Sequence, residues 1–439
     1  MMKITPIDSW IKSKTGLREL NEASVREYHL TKLQQVFQYV KTRSRFYREL
    51  LQRYGDFTTF EDFSKLPFTY PSDISADPYA FVCVPPDQIS RVTTLRTSAT
   101  TGNSKRIMFT SDDQELTIDF FSHGMSAFTE PGDKVLIFMP GDVPGGVGNL
   151  LVQAIGRLRA HSRVYGPIND YNDAQNALND YCPNVVVGFP SQVHRLAMET
   201  AGVFHASSVL LASDYMSPSL INTVSECWDC DVFTHYGLTE TGLGGAVSCH
   251  ARTGYHIREN DLYVEIIDPS SGLPAAVGES GEVVISTLNH NCMPLLRYRT
   301  GDRSRILARQ CACGSSVRRL DRITGRINEP LRLQSGKTLS IGTLDDIIYN
   351  CSGVAAYSAQ LAGSGNHGTV HDGRDGAQET LIIKILLTEN STALPAAALI
   401  QELGSLPVKV DIRFGEPDFF TTGATKRRID DLRINTLHG

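Results

Sequence analysis

The chain has 439 residues, 41% of them apolar and 21% charged, with a net charge of −6. That length exceeds one typical core and predicts two domains. Lysine and arginine are scattered rather than clustered, which sets aside nucleic acid and anionic membrane as partners. No apolar run approaches the roughly 18 residues of a bilayer span, the start has no signal-peptide core, and nine cysteines form no secreted framework, so a cytoplasmic protein with reduced thiols is expected.

Residues 16–54 carry apolar positions at helical spacing, including Leu20, Leu33, Val36, Phe37 and Val40, and read as packing helix. The aromatic pair Phe46 and Tyr47 is assigned to core. Next, Thr97-Ser98-Ala99-Thr100-Thr101-Gly102-Asn103-Ser104-Lys105 forms a hydroxyl-rich loop between strand-like runs at 91–96 and 106–110. Its small residues let backbone N–H groups turn inward, and the hydroxyls of Thr97, Ser98, Thr100 and Thr101 suit phosphate oxygens. A strand follows it rather than a helix, which disfavours the phosphate-loop ATPases.

From 134 to 240 apolar runs at 134–139, 162–165, 184–189 and 208–211 alternate with helix-like segments at 146–159, 172–180 and 190–201. This predicts parallel sheet with crossover helices, whose sites lie at strand C-terminal ends. The loops there contain Gly141, Phe189, Ser213, Asp214 and Tyr215. The run 231–234 then leads into His235-Tyr236-Gly237-Leu238-Thr239-Glu240-Thr241-Gly242. A ring, two glycines and a hydroxyl beside a carboxylate suit a nucleotide with its metal. Gly242 and Gly244 leave room for a flat substrate.

Cys249, His256, Cys311 and Cys313 supply three thiolates and one imidazole, a complete tetrahedral zinc set, with His250 as the alternative imidazole. Cys227 and Cys230 are treated as structural. Tyr298-Arg299-Thr300-Gly301-Asp302 places a carboxylate at a glycine turn, suited to ribose hydroxyls. Beyond it lie Thr324-Gly325-Arg326, strand-like runs at 380–387 and 408–414, a helix at 394–403, a Gly- and His-rich loop at 363–378, and Lys426 within a basic run.

The three stretches at 97–105, 235–242 and 298–302 together resemble, in order and spacing, the signature loops of the adenylate-forming superfamily, most closely its phenylacetate-CoA ligase branch. The resemblance implies an α/β fold: a large adenylate-forming domain with mixed and parallel sheets at 1–326 and a small α+β lid at 327–439. It implies that Tyr236 stacks on adenine beside Gly237, Ser213 and Asp214, that Thr239 bonds the α-phosphate and that Glu240 ligates Mg2+. It gives phosphate contacts to Thr97, Ser98, Thr100, Thr101, Gly102 and Lys105, and ribose contacts to Asp302 and Arg326. Gly141, Phe189, Tyr215, Gly242 and Gly244 line an acyl pocket, Asn328 stands at the hinge, and Cys249, His256, Cys311 and Cys313 match a structural zinc.

Two departures stand out. Ile327-Asn328-Glu329 replaces the family's acidic hinge pair, and the family lysine aligns with Thr425, one residue before Lys426. The expected function is ATP-dependent activation of an aromatic acid, with ATP, Mg2+ and coenzyme A as cofactors and a homodimer as the assembly. The alternatives are transfer to a carrier protein, an amine or a reductase, as in phenazine-type antibiotic pathways, and a non-catalytic nucleotide-binding homologue.

Overall fold

The computed structural model describes residues 3–95, 104–327, 330–363, 379–388, 394–415 and 427–433. The chain forms two compact units, one of Met1–Gly166 with Phe233–Thr324 and one of Pro167–Val232 with Gly325–Gly439. The second unit thus resumes at Gly325, just ahead of the expected 326/327 junction, and it also takes in 167–232. No helix among the described residues is long and apolar enough to cross a membrane.

In the first unit, helix Glu22–Arg43 opens on a capping box between Asn21 and Ser24, which satisfies amides that would otherwise lack partners. Its face of Leu33, Val36, Phe37 and Val40 is buried with Tyr47, Phe57, Phe63 and Phe81. The Tyr47 hydroxyl accepts from Leu296 N–H at 2.9 Å and lies 3.0 Å from Thr69 Oγ1. Tyr47 is therefore core, as expected, and it ties the helical region to the chain just before Tyr298.

Strands Arg91–Leu95 and Lys105–Phe109 pair antiparallel, so the hydroxyl-rich loop joins the two arms of a hairpin. Leu262–Ile267, Gly281–Thr287 and Tyr298–Ser304 form a three-stranded antiparallel sheet. A register shift between Glu282 and Val284 bends that sheet opposite Gly301, which has φ +77°. Glu282 fills the irregularity by accepting from Gly301 N–H at 3.0 Å and from the Arg299 guanidinium.

In the second unit, Val185–Gly188 and Ser208–Ala212 run parallel, each fully buried, as parallel strands covered by helices are. Helices Tyr171–Tyr181, Pro190–Glu199 and Pro218–Trp228 belong with them. The later segment of this unit has a four-stranded sheet with Lys409–Phe414, Thr380–Leu387, Val354–Ala362 and Ile429–Asp431 in spatial order. Helices Ile341–Ile348 and Leu394–Gly404 complete it. The α/β expectation holds for both units.

Candidate active site

The strand Asp231–Tyr236 runs straight into the Gly237 turn and a single 3-10 turn, Thr239–Thr241. Thr241 closes this turn on itself: its hydroxyl donates to Leu238 O at 3.0 Å and accepts from Leu238 N–H at 3.3 Å. A Cβ at Gly237 would stand 2.1 Å from Leu243 O, so no other residue fits. Gly237→Ala is expected to lower stability by about 2 kcal/mol or more, read as a lower urea midpoint at unchanged slope. A midpoint equal to wild type would show that the turn gives way at no cost.

The tight turn presents Glu240, which is 6% exposed. Its Oε1 accepts from Tyr298 Oη at 2.6 Å and is ion-paired with Lys105 Nζ, which also donates to Tyr298 Oη at 3.2 Å. Burial works to raise the Glu240 pKa, but the Lys105 charge and these hydrogen bonds outweigh it and hold the carboxyl below its ordinary value. Four residues earlier, Tyr236 Oη donates to Asp302 Oδ2 at 2.9 Å, both side chains being buried. Tyr298, Thr300 and Asp302 share the buried face of their strand, as alternation requires.

The three stretches singled out in the sequence thus meet physically: Lys105 from the end of the first, Tyr236 and Glu240 from the second, Tyr298 and Asp302 from the third. Tyr298 opens its motif, yet sequence reasoning assigned it no role. Its period-two spacing from Asp302 was the available signal. Thr239 is half-buried on the same turn, while Thr97, Ser98, Thr100, Thr101, Gly102, Asn328 and Lys426 lie outside the described residues. Arg326 is exposed, in the second unit.

The slot expected beside Gly242 and Gly244 is filled on their Cβ side. A Cβ at Gly242 would lie 2.8 Å from Thr117 Oγ1 and 3.4 Å from His290, and one at Gly244 would lie 2.5 Å from the Phe120 ring. On that side the glycines admit helix Ser111–Met125, not a ligand. Gly141 is likewise pressed against Val164, 2.5 Å from where its Cβ would be. In the second unit Phe189 is buried at the start of its helix. Tyr215 there lies against Gly342 and donates to Asp346 Oδ2 at 3.0 Å. Ser213 has φ +76°, the left-handed turn that leads from the strand into Asp214.

A second constellation lies in the first unit. The ligand atoms of Cys249, His256, Cys311 and Cys313 all lie within 4.8 Å of one another, and all four residues are buried. Cys249 Sγ and Cys311 Sγ are 3.6 Å apart, as are Cys313 Sγ and His256 Nε2. The sulfur–sulfur separation is far from a disulfide bond and near the tetrahedron edge of about 3.8 Å set by Zn–S bonds of about 2.3 Å, and the sulfur–nitrogen one suits a Zn–S bond beside a shorter Zn–N bond. Register explains the assembly: His256 pairs with Val247, two residues before Cys249, and with Arg319, just beyond the Cys311 loop. The imidazole in the cluster is that of His256 and not that of His250, whose Nε2 lies 2.8 Å from Ala127 O.

A family model described as AMP-binding enzyme matches residues 46–292. The chain belongs to the AMP-binding enzyme family. Within it, the chain is similar to the phenylacetate-coenzyme A ligase of Thermus thermophilus, at 28% identity over 332 residues covering 72% of this chain and 73% of that one. It is also similar to the enzyme of the same name from Escherichia coli K12, at 26% identity covering 77% and 76%. The fold matches that of a 2-hydroxyisobutyryl-CoA ligase solved with 2-HIB-AMP, with a TM-score of 0.77 and 20% identity over 95% of this chain and 91% of that one. The family and its phenylacetate-CoA ligase-like branch agree with the resemblance drawn from the motifs.

Proposed function

We propose that this AMP-binding enzyme activates an aromatic carboxylic acid with ATP and passes the acyl group to coenzyme A. The observation that carries the reading is the junction of Lys105, Glu240, Tyr298, Tyr236 and Asp302, together with the similarity to phenylacetate-coenzyme A ligases. In the first half-reaction a carboxylate oxygen of the acid attacks the α-phosphorus, the acyl–phosphate bond forms, and the bond to the β-phosphate breaks to release pyrophosphate. In the second, a thiolate attacks the acyl carbon and AMP leaves.

Each residue has a role its chemistry suits. Asp302, fixed by the Tyr236 hydroxyl, accepts from the ribose hydroxyls, and the Tyr236 ring packs on adenine. Thr239 holds an α-phosphate oxygen. Glu240, kept ionised in a buried setting, suits Mg2+ as a hard oxygen donor, with Thr239 beside it. When bound, the metal shields phosphate charge as it builds in the transition state. Lys105 balances Glu240 and keeps a cation beside the phosphates. Lys426 supplies a further cation from the C-terminal segment. The thiolate and imidazole set of Cys249, His256, Cys311 and Cys313 holds a structural Zn2+.

Carboxylate-dependent ATP–pyrophosphate exchange without coenzyme A tests the reading. Exchange is expected with at least one of benzoate, phenylacetate, hydroxybenzoate or a polycyclic aryl acid, well above the rate with acetate. Exchange with none of them, by folded protein, would overturn it. Exchange followed by failure of coenzyme A to accept the acyl group would keep adenylation and move the acceptor to a carrier protein, an amine or a reductase.

A further inference from the structure

The helix Ser111–Met125 of the first unit carries a buried hydroxyl that no step above uses. Thr117 stands in its middle and is 1% exposed, with Ile118, Phe120 and Phe121 buried around it. A threonine inside a helix ordinarily bonds the carbonyl four residues back. Here that carbonyl, Asp113 O, is 3.5 Å away, while Gly242 O accepts from Thr117 Oγ1 at 2.5 Å. A hydroxyl has one proton to give, and the shorter contact takes it.

Gly242 is where the Glu240 turn ends. Its N–H donates to Thr239 O at 3.0 Å, and at φ +69° it leaves the 3-10 turn in the left-handed conformation. A carbonyl at such an end has no partner within the turn, and Thr117 supplies one from outside. The same helix holds the other arms of the site. It follows strand Lys105–Phe109 after one residue, and its Asp113 accepts from Asn291 N–H at 2.7 Å and Cys292 N–H at 3.1 Å, in the segment that leads to Tyr298. The three side chains that meet at Glu240 Oε1 thus come from segments fixed to one helix: Lys105 by continuity, Tyr298 through Asp113, and Glu240 itself through Thr117. Arg258 ties the same helix to the glycine segment, Nη2 donating to Leu116 O at 2.8 Å and Nη1 to Gly244 O at 3.5 Å, so the two stay together when Thr117 is changed.

We propose that Thr117 is a positioning residue for adenylation: through Gly242 O it fixes the end of the turn and so sets Glu240 where Mg2+ binds with ATP. The inference rests on the function proposed above. Without the hydroxyl, Gly242 O loses its partner and Glu240 is placed by Lys105 and Tyr298 alone. The metal-dependent part of nucleotide binding then weakens, while the part owed to adenine and ribose does not.

The test measures binding of α,β-methylene-ATP, whose α–β bridge does not break, once with Mg2+ and once with EDTA, alongside pyrophosphate exchange with the best aryl acid. In the wild type Mg2+ tightens binding. Thr117→Val is expected to lose about fivefold or more of that gain, the scale of one net hydrogen bond, with its affinity in EDTA within about twofold of wild type. Thr117→Ser keeps a hydroxyl and recovers the gain. A partly unfolded sample lowers the binding stoichiometry and leaves the ratio of the two affinities unchanged, so the test stays decisive if the valine variant folds poorly. An unchanged Mg2+ gain in Thr117→Val, or equal losses with Mg2+ and with EDTA, would assign the hydroxyl to stability alone and overturn the proposal. A wild type whose binding Mg2+ does not tighten would overturn it together with the metal role of Glu240. Wild-type protein that exchanges with no acid would sink the function itself, an outcome separate from these.

Discussion

Glu240→Gln is expected to lower pyrophosphate exchange by well over tenfold, more than about 1.4 kcal/mol of barrier. The amide keeps an oxygen that can accept from Tyr298 and Lys105, so the turn geometry is retained while the charge is lost. What disappears is the hard anionic donor for Mg2+ and the balance for Lys105, whose side chain is 13% exposed. The same substitution therefore carries a stability cost, on the order of 3 kcal/mol for breaking a largely buried pair. The two effects separate with Lys105→Met/Glu240→Gln, which removes both charges: stability returns toward wild type while exchange stays low. Tyr298→Phe keeps the ion pair and removes the hydrogen bonds to Glu240 and from Lys105, each of about 1 kcal/mol, so its exchange should fall by less than that of Glu240→Gln. Near-normal exchange by Glu240→Gln would sink the metal assignment.

The distinction between Lys105 and its loop shows what sequence conveys here. The loop's composition pointed to phosphate, and Lys105 was grouped with it. That its amine is paired with Glu240, 135 positions away, follows from strand register and not from local pattern. The octet and the Asp302 stretch were legible because their residue types suit one chemistry. Their cross-links through Tyr236 and Tyr298 were not, since each depends on which face of a strand meets which turn.

The alternating runs from 134 to 211 gave their strands and helices to within a residue or two, because buried parallel strands are nearly continuous in Val, Ile and Leu. Strand Val354–Ala362 was passed over, although it pairs with both Thr380–Leu387 and Ile429–Asp431. Four of its nine residues are alanine, a weak β-former, and the strand is held by its neighbours. Tyr215 also has a neighbour that no local pattern shows. Its ring lies against Gly342 of helix Ile341–Ile348, more than a hundred positions on. The Cys and His set was readable by donor chemistry alone, and only the pairing of His256 with Val247 and Arg319 decided between His256 and His250.

Metal removal is the second large effect. Stripping Zn2+ from the folded protein, or Cys313→Ser, is expected to lower the melting temperature by roughly 10 °C, the shift that about 4 kcal/mol produces in a unit of this size. The physical reason is placement. Cys249 follows one strand, His256 lies within the next, and Cys311 and Cys313 sit in the loop before a third. One ion held there would close three connections at the edge of a sheet whose two-residue strands, Ala246–Val247 and Arg319–Leu320, have little pairing of their own. Without the ion, three buried thiols and an imidazole remain with no partner strong enough to repay their burial. Metal content near one zinc per chain, lost together with the high melting transition and restored by added Zn2+, is the expected result. A purified sample with well below one metal per chain and an unshifted transition on chelation would end the zinc assignment. Exchange activity should follow the folded fraction through the titration, because Glu240 and Asp302 are held by Lys105, Tyr298 and Tyr236 and not by the Cys and His set.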